Sequence, residues 1–305
     1  MQHSPTIFDR RLLRARAARA RAHGPATFLL ERVAVDLADR LSAVLRQFPV
    51  AADIGTPDDA LRRALAGRGG IETMLAVAPA AAGGAAGNSA GRGPPRIVAD
   101  EELLPLGNAT LNLAVSALAL QGVNDLPGAL AQIRRALKPD GLFLAALLGG
   151  ETLHELRESF FAAEAEIEGG ASPRVAPFLE VREAGALLQR AGFALPVADV
   201  ERLTVRYASA LALMHDLRAM GATNPLTERR RLPLRRATLF RAAQIYAERF
   251  SDADGKVRAT FDVIWLSGWA PHESQQKPLA PGSARRRLAD ALGTSEMPAG
   301  DKPTR

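Results

Sequence analysis

Two acidic segments and one charged stretch carry the residue types that could do chemistry in this chain. Val50-Ala51-Ala52-Asp53-Ile54-Gly55 has the pattern of a strand ending in Asp-x-Gly. With a helix after it, such an exit is where an α/β fold holds a nucleotide-like ligand. Taken alone, a plain turn is the commoner use of Asp-Gly. Asp100, Glu101 and Glu102 follow Ala99 and precede Leu103-Leu104-Pro105-Leu106. A carboxylate there can accept the exocyclic amine of adenine while the apolar residues flank the ring, although the segment by itself also reads as an ordinary polar loop. Glu151, His154 and Arg157 stand at i, i+3 spacing, which places them on one face of a helix, turned to a substrate cleft or to solvent.

Other chemistries are excluded or unsupported. The chain has no cysteine, so disulfides, thiolate metal sites and cysteine nucleophiles are absent, a composition that fits a reducing compartment. His272–Glu273 lacks the i, i+4 histidine pair of a zinc helix, and no metal site is expected. Ser116 lies in an apolar strand without nucleophile-elbow glycines. Arg229, Arg230, Arg231, Arg235 and Arg236 around Pro233 form a basic knob, either solvated or a dock for an acidic partner.

The elements that must position these residues follow from periodicity. An amphipathic stretch runs from Thr27 to Arg46. Short apolar runs then alternate with helical patterns: strands at 48–54, 73–77, 96–99, 111–120 and 142–148, and helices at 57–66 and after Asp125 to Leu137. Lys138-Pro139-Asp140-Gly141 reads as a turn. Helices are expected near 151–166, 180–191, 208–220 and 235–250, and Thr260–Trp269 as a late antiparallel edge strand. Alternating strands and helices predict an α/β fold with one doubly wound, mostly parallel sheet of about seven strands. The domain plan is a basic helix over 1–25, one α/β domain over 26–269 with a flexible low-complexity insertion at 78–95, and a poorly ordered tail over 270–305.

The net charge of +6 is unevenly placed. Residues 1–32 hold seven arginines against Asp9 and Glu31, whereas the body from 33 to 269 is nearly neutral. Basic ends on a neutral body favour surface docking, including peripheral membrane association through the N-terminus, over a nucleic-acid groove. The Arg-rich start has the composition of a transit peptide, but it also reads as a solvated basic helix. No apolar run suits a signal peptide or a membrane span, so a cytoplasmic or matrix-side location is expected.

The chain resembles class I S-adenosylmethionine-dependent methyltransferases, and within them the complex I assembly factor subfamily, whose mitochondrial members are linked to arginine hydroxylation of a complex I subunit. The resemblance spans nearly the whole chain: Ile7-Phe8-Asp9-Arg10, Ala99-Asp100-Glu101-Glu102, Val123-Asn124-Asp125-Leu126-Pro127, Leu137-Lys138-Pro139-Asp140-Gly141 and Gly149 to Arg157. It continues through Ser172-Pro173, Pro177-Phe178, Met220-Gly221 with Asn224, Gly268-Trp269 and His272-Glu273-Ser274-Gln275. Because it begins at Ile7, residues 7–25 resemble mature protein rather than a transit peptide. It implies S-adenosylmethionine as cofactor, lined by Asp53, Gly55, Asp100 and Glu101, and a protein partner, a respiratory complex I subunit. Methyl transfer, arginine hydroxylation, a non-catalytic scaffold and a small-molecule or carrier-protein methyltransferase all stay open.

The departures from the family pattern are specific. The family loop is Asp-x-Gly-x-Gly-x-Gly, whereas this chain has Asp53-Ile54-Gly55-Thr56-Pro57-Asp58-Asp59. Pro57 adds a ring and removes an N–H where backbone should approach the ligand, and Asp59 brings a carboxylate. The acid that ends the second strand and takes the ribose hydroxyls is missing near Ala78. Weakened cofactor binding is expected.

Overall fold

A computed structural model describes residues 6–79, 95–276, 283 and 287–295. The N-terminal helix α1 (Arg10–Ala22) starts where the Asp9 carboxylate accepts the Leu12 N–H at 2.9 Å, satisfying one of the donors that a helix start leaves open. α2 (Phe28–Ser42) carries Leu30, Val33, Leu37 and Leu41 at helical spacing, all buried. Burying each such side chain is worth roughly 1.5–3 kcal/mol, which ties α2 to the sheet.

β1 (Val50–Ile54) leads to α3, which is only Ala60–Ala64. The expected helix from Pro57 starts late because the Asp58 carboxylate accepts the Ala60 N–H at 2.6 Å, holding the preceding residues in a turn. β2 (Thr73–Ala78) and β3 (Arg96–Val98) follow. Of the expected insertion, residues 80–94 lie outside the described residues. β4 (Leu111–Ala117) ends in a single 3-10 turn, Leu120–Gly122. α4 (Leu126–Ala136) is capped by Asp125, which accepts the Gly128 N–H at 2.9 Å. β5 (Leu137–Gly149) begins directly after α4. The expected turn at 138–141 is absorbed into this strand as an irregularity opposite Leu111–Leu113, with Asp140 at φ +63°.

The remaining elements are α5 (His154–Glu168), α6 (Val181–Arg190), β6 (Ala194–Tyr207), α7 (Ala210–Ala219), α8 (Arg236–Phe250) and β7 (Val257–Trp269). The seven strands form one sheet in the order β3-β2-β1-β4-β5-β7-β6. β1 to β5 are parallel to one another, and β7 is antiparallel to both β5 and β6. β7 is therefore an interior strand, not the expected edge. The edge is β6, which has no counterpart among the sequence expectations.

Period-two alternation sorts the strands between two faces. Ala52, Ile54, Ala114 and Phe143 pack under α4 and α6, while Ala51, Leu113, Val115 and Leu144 pack under α2 and α3. A third apolar cluster joins α5, α7 and α8 to the start of β7. Residues 1–271 make one compact unit. Residues 272–305 make a second, in which α9 (Leu288–Leu292) is the described helix. Among the described residues no helix is long and apolar enough to cross a membrane.

Candidate functional site

The exits of β1, β2 and β3 bring the first group of predicted residues together. Gly55 sits at φ +77°, a conformation that favours glycine, and donates its N–H to the Val77 carbonyl at 2.8 Å. A Cβ on Gly55 would lie 2.9 Å from Cγ and Oε1 of Glu101 and 3.0 Å from Cβ of Ala119, so the Glu101 side chain already fills the space that a glycine opens. Asp53 is buried and forms an ion pair with Arg62, which also reaches Asp59. Its Oδ1 has no hydrogen-bond partner among the described residues, and burial pushes the carboxyl up to about 6 against the pull of Arg62. Ala78 is buried at the end of β2.

The basic N-terminal helix is not merely solvated: it lies over this group. Arg10 donates to Asp100 at 2.7 Å and to the Gly122 carbonyl at 3.1 Å, pairs with Glu101, and stands 3.3 Å from Glu102. Arg14 pairs with the other oxygen of Asp100. Burial pushes the Glu101 carboxyl up. At Asp100 burial acts the same way, but the Glu102 N–H, Arg14 and Arg10 outweigh it and the pKa falls. Between α1 and the strand exits remains a cavity of about 110 Å³, lined by Arg10, Arg14, Gly55, Pro57, Glu101 and Gln121. Pockets for small ligands and cofactors usually measure roughly 300–1,000 Å³. This cavity is smaller than that range, and the carboxylates that an adenine amine would need hold arginines.

The second group lies beyond β5. Gly150, at φ +49°, packs against Asp262, whose Oδ2 would be 2.9 Å from a Cβ there and accepts the Glu151 N–H at 3.0 Å. Arg202 grips Asp262 through two hydrogen bonds of 2.8 and 2.9 Å, and the Thr152 hydroxyl donates to the Gly149 carbonyl at 2.7 Å. These bonds hold the turn that carries Glu151. A cavity of about 590 Å³ opens there, walled by Ile7, Glu151, Arg157, Phe178, Glu180 and Glu228 among others. Neither Glu151 nor Glu228 makes a salt bridge among the described residues.

Of the predicted trio, Glu151 and Arg157 line this cavity and His154 does not. The His154 ring meets Phe250 edge-on with centroids 6.0 Å apart, and its Nδ1 is 3.1 Å from the Glu151 carbonyl oxygen. Glu180 and Glu228, absent from the sequence candidates, come from loops whose approach to β5 has no local signal. Arg10, also absent, stands in the Phe8-Asp9-Arg10 segment that carries the resemblance. The basic knob is partly neutralised within the chain, with Arg229 paired to Asp9 at 3.2 Å and Arg230 to Glu168, while Arg231, Arg235 and Arg236 are exposed.

Parallel strands β1 to β5 and an antiparallel β7 inserted between β5 and β6 define a class I methyltransferase-fold protein. A methyltransferase-domain family model matches residues 52–145, and the fold is shared with a methyltransferase candidate of Bacillus halodurans (TM-score 0.53, 12% identity, 78% of this chain and 99% of that one). The chain belongs to the family of the mitochondrial arginine-hydroxylase NDUFAF5. It is 40% identical to the Homo sapiens protein over 310 residues, covering 97% of this chain and 86% of that one. It is likewise 40% identical to the Danio rerio protein over 264 residues, covering 86% and 81%.

Proposed function

We propose that this protein acts on or docks to a basic segment of a protein partner through the acidic cavity beyond β5, and that it holds S-adenosylmethionine only weakly. The cavity carries the reading: Glu151 and Glu228 line it, with Glu180, whose side chain also caps α6, against Arg157 among the described lining residues. The relatives are named for arginine hydroxylation, and a guanidinium is the side chain that several carboxylates recognise best, through a planar fork of donors. Resemblance to the complex I assembly factors supplies the partner, a respiratory complex I subunit, on the cytoplasmic or matrix side of the membrane. Exposed Arg11 and Arg19 of α1 would favour peripheral association with that membrane.

Weak cofactor binding rests on Pro57, on Asp59 and on the missing acid at Ala78. Each charged hydrogen bond lost costs about 1.5–3 kcal/mol. Asp53, Gly55, Asp100 and Glu101 remain the residues of that site. A non-catalytic scaffold is the second reading, favoured by the small volume left between α1 and the strand exits.

The test is binding of a short capped peptide with one arginine among neutral residues, measured against the same peptide with citrulline. Arginine should be preferred, and Glu151→Gln with Glu228→Gln should erase the preference. Equal affinity for both peptides would remove the basis of the reading.

A further inference from the structure

We infer that α1 is an internal occupant of the adenosyl position, a displaceable helix whose arginines take the carboxylates that an adenosyl ligand would need. The inference rests on the assignment of the β1–β3 exits as the cofactor site, and it goes beyond the eroded loop: even a repaired loop would face a position that the chain fills itself.

Several observations converge on it. Arg10 engages Asp100, Glu101 and Glu102, and Arg14 takes the remaining oxygen of Asp100. Asp100 and Glu101 are therefore already engaged from one helix, and Glu102, 3.3 Å from Arg10, also accepts the Asn124 N–H at 2.6 Å. The Glu101 side chain is pressed onto Gly55, the one glycine of the family loop that this chain keeps. Leu13 closes the far side, where a Cβ on Gly122 would lie 2.7 Å from its Cδ1.

The contact is built for exchange rather than for permanence. α1 buries only Ala20 fully, so it has no apolar stripe like that of α2 to hold it down. Its Arg10 and Arg14 Nε atoms are buried without a hydrogen-bond partner, a cost that release to water would relieve. Apart from the buried Phe8, which bridges to Leu226, and the close approach of Ala17 to Gly221, the other attachments of the segment are polar. Asp9 N–H donates to the Pro225 carbonyl at 2.8 Å, Phe8 N–H to Asn124 Oδ1 at 2.8 Å, and Arg16 to the Thr223 carbonyl at 2.9 Å. The same segment supplies Thr6 and Ile7 to the wall of the large acidic cavity. One N-terminal element thus borders both sites, and an adenosyl ligand must displace Arg10 and Arg14 to reach Asp100.

The test uses the full chain and S-adenosylhomocysteine at millimolar concentration. Amide hydrogen exchange over residues 10–22 should accelerate in the unmodified protein when the ligand is added. Arg10→Gln with Arg14→Gln should tighten binding by about tenfold relative to Arg11→Gln with Arg19→Gln, a charge-matched change of exposed residues on the same helix. Slower exchange in α1 on ligand addition would mean that the ligand sits beneath an intact helix, and would overturn the inference without needing any variant to fold. Equal or weaker binding by a folded Arg10→Gln, Arg14→Gln protein would also overturn it. If no form binds, including one with Pro57→Gly, Asp59→Gly and Ala78→Asp, the cofactor-site assignment itself fails and this inference falls with it.

Discussion

Arg10 and Glu101, separated by 91 positions in sequence, form an ion pair at the mouth of the sheet with side chains only 15% and 8% exposed. Removing one partner leaves the other charge in a poorly hydrated place, which typically costs about 3–5 kcal/mol when burial is complete and less here. Arg10→Met should therefore destabilise the fold by about 2–3 kcal/mol. Arg10→Met combined with Glu101→Gln should recover most of that loss. Urea unfolding of the four proteins of this cycle measures the coupling. Additive effects would show that the pair does not hold α1 to the sheet.

A pH dependence follows from Asp53. Its folded pKa of about 6 lies above the ordinary carboxyl value of 3.8, so in the interval between them the folded state binds more protons than the unfolded one. Its contribution to stability is complete below about pH 4 and is lost as pH rises through about 6, on the order of 2–3 kcal/mol in all. Asp100 and Asp262, whose pKa values are lowered, act in the opposite sense at lower pH. The measurement is the difference in unfolding free energy between the unmodified protein and Asp53→Asn from pH 4 to pH 7. The difference should shift in favour of Asp53→Asn as pH rises, and a flat difference would contradict the burial argument.

Much of this arrangement is visible in the sequence, and the limits have physical causes. Strands β1, β4 and β5 announce themselves as apolar runs, and Asp125 caps the helix that follows it. β6 hides because its alternation, Leu195, Val197, then Leu203 and Val205, is interrupted in phase by Asp199 and Glu201, and Leu195, Val197 and Val200 are exposed. The position of β7 inside the sheet depends on β6 pairing with it along twelve registered positions, which no local pattern encodes. Asp100 and Glu101 were recognisable as a carboxylate group at a strand exit. That they face arginines from residues 10 and 14 is a long-range outcome of where α1 packs.

The trio beyond β5 should divide in function. Glu151→Gln should weaken binding of the arginine peptide by about ten- to hundredfold, the loss of one charged hydrogen bond. His154→Ala should change it by less than about twofold, because the ring faces Phe250 and not the cavity. Fluorescence anisotropy with a labelled peptide checks both values, and a larger effect at His154 would relocate the site toward α8.

Repair of the loop is a separate matter from release of α1. Pro57→Gly, Asp59→Gly and Ala78→Asp together should strengthen S-adenosylhomocysteine binding by at least about tenfold, and each alone by less. Asp59→Gly also removes one of the two carboxylates that Arg62 bridges, so its own thermal unfolding is the needed control. A triple variant that folds normally and binds no better would show that the loop is not what limits the site.

The most direct measurement is one calorimetric titration of the unmodified protein with S-adenosylmethionine and with S-adenosylhomocysteine. A loop blocked by Pro57, a β2 exit without an acid and an acidic segment held by Arg10 and Arg14 predict a Kd of about 10⁻⁴ M or weaker for both. A Kd in the low micromolar range for either would contradict the account and make an active methyltransferase the better description.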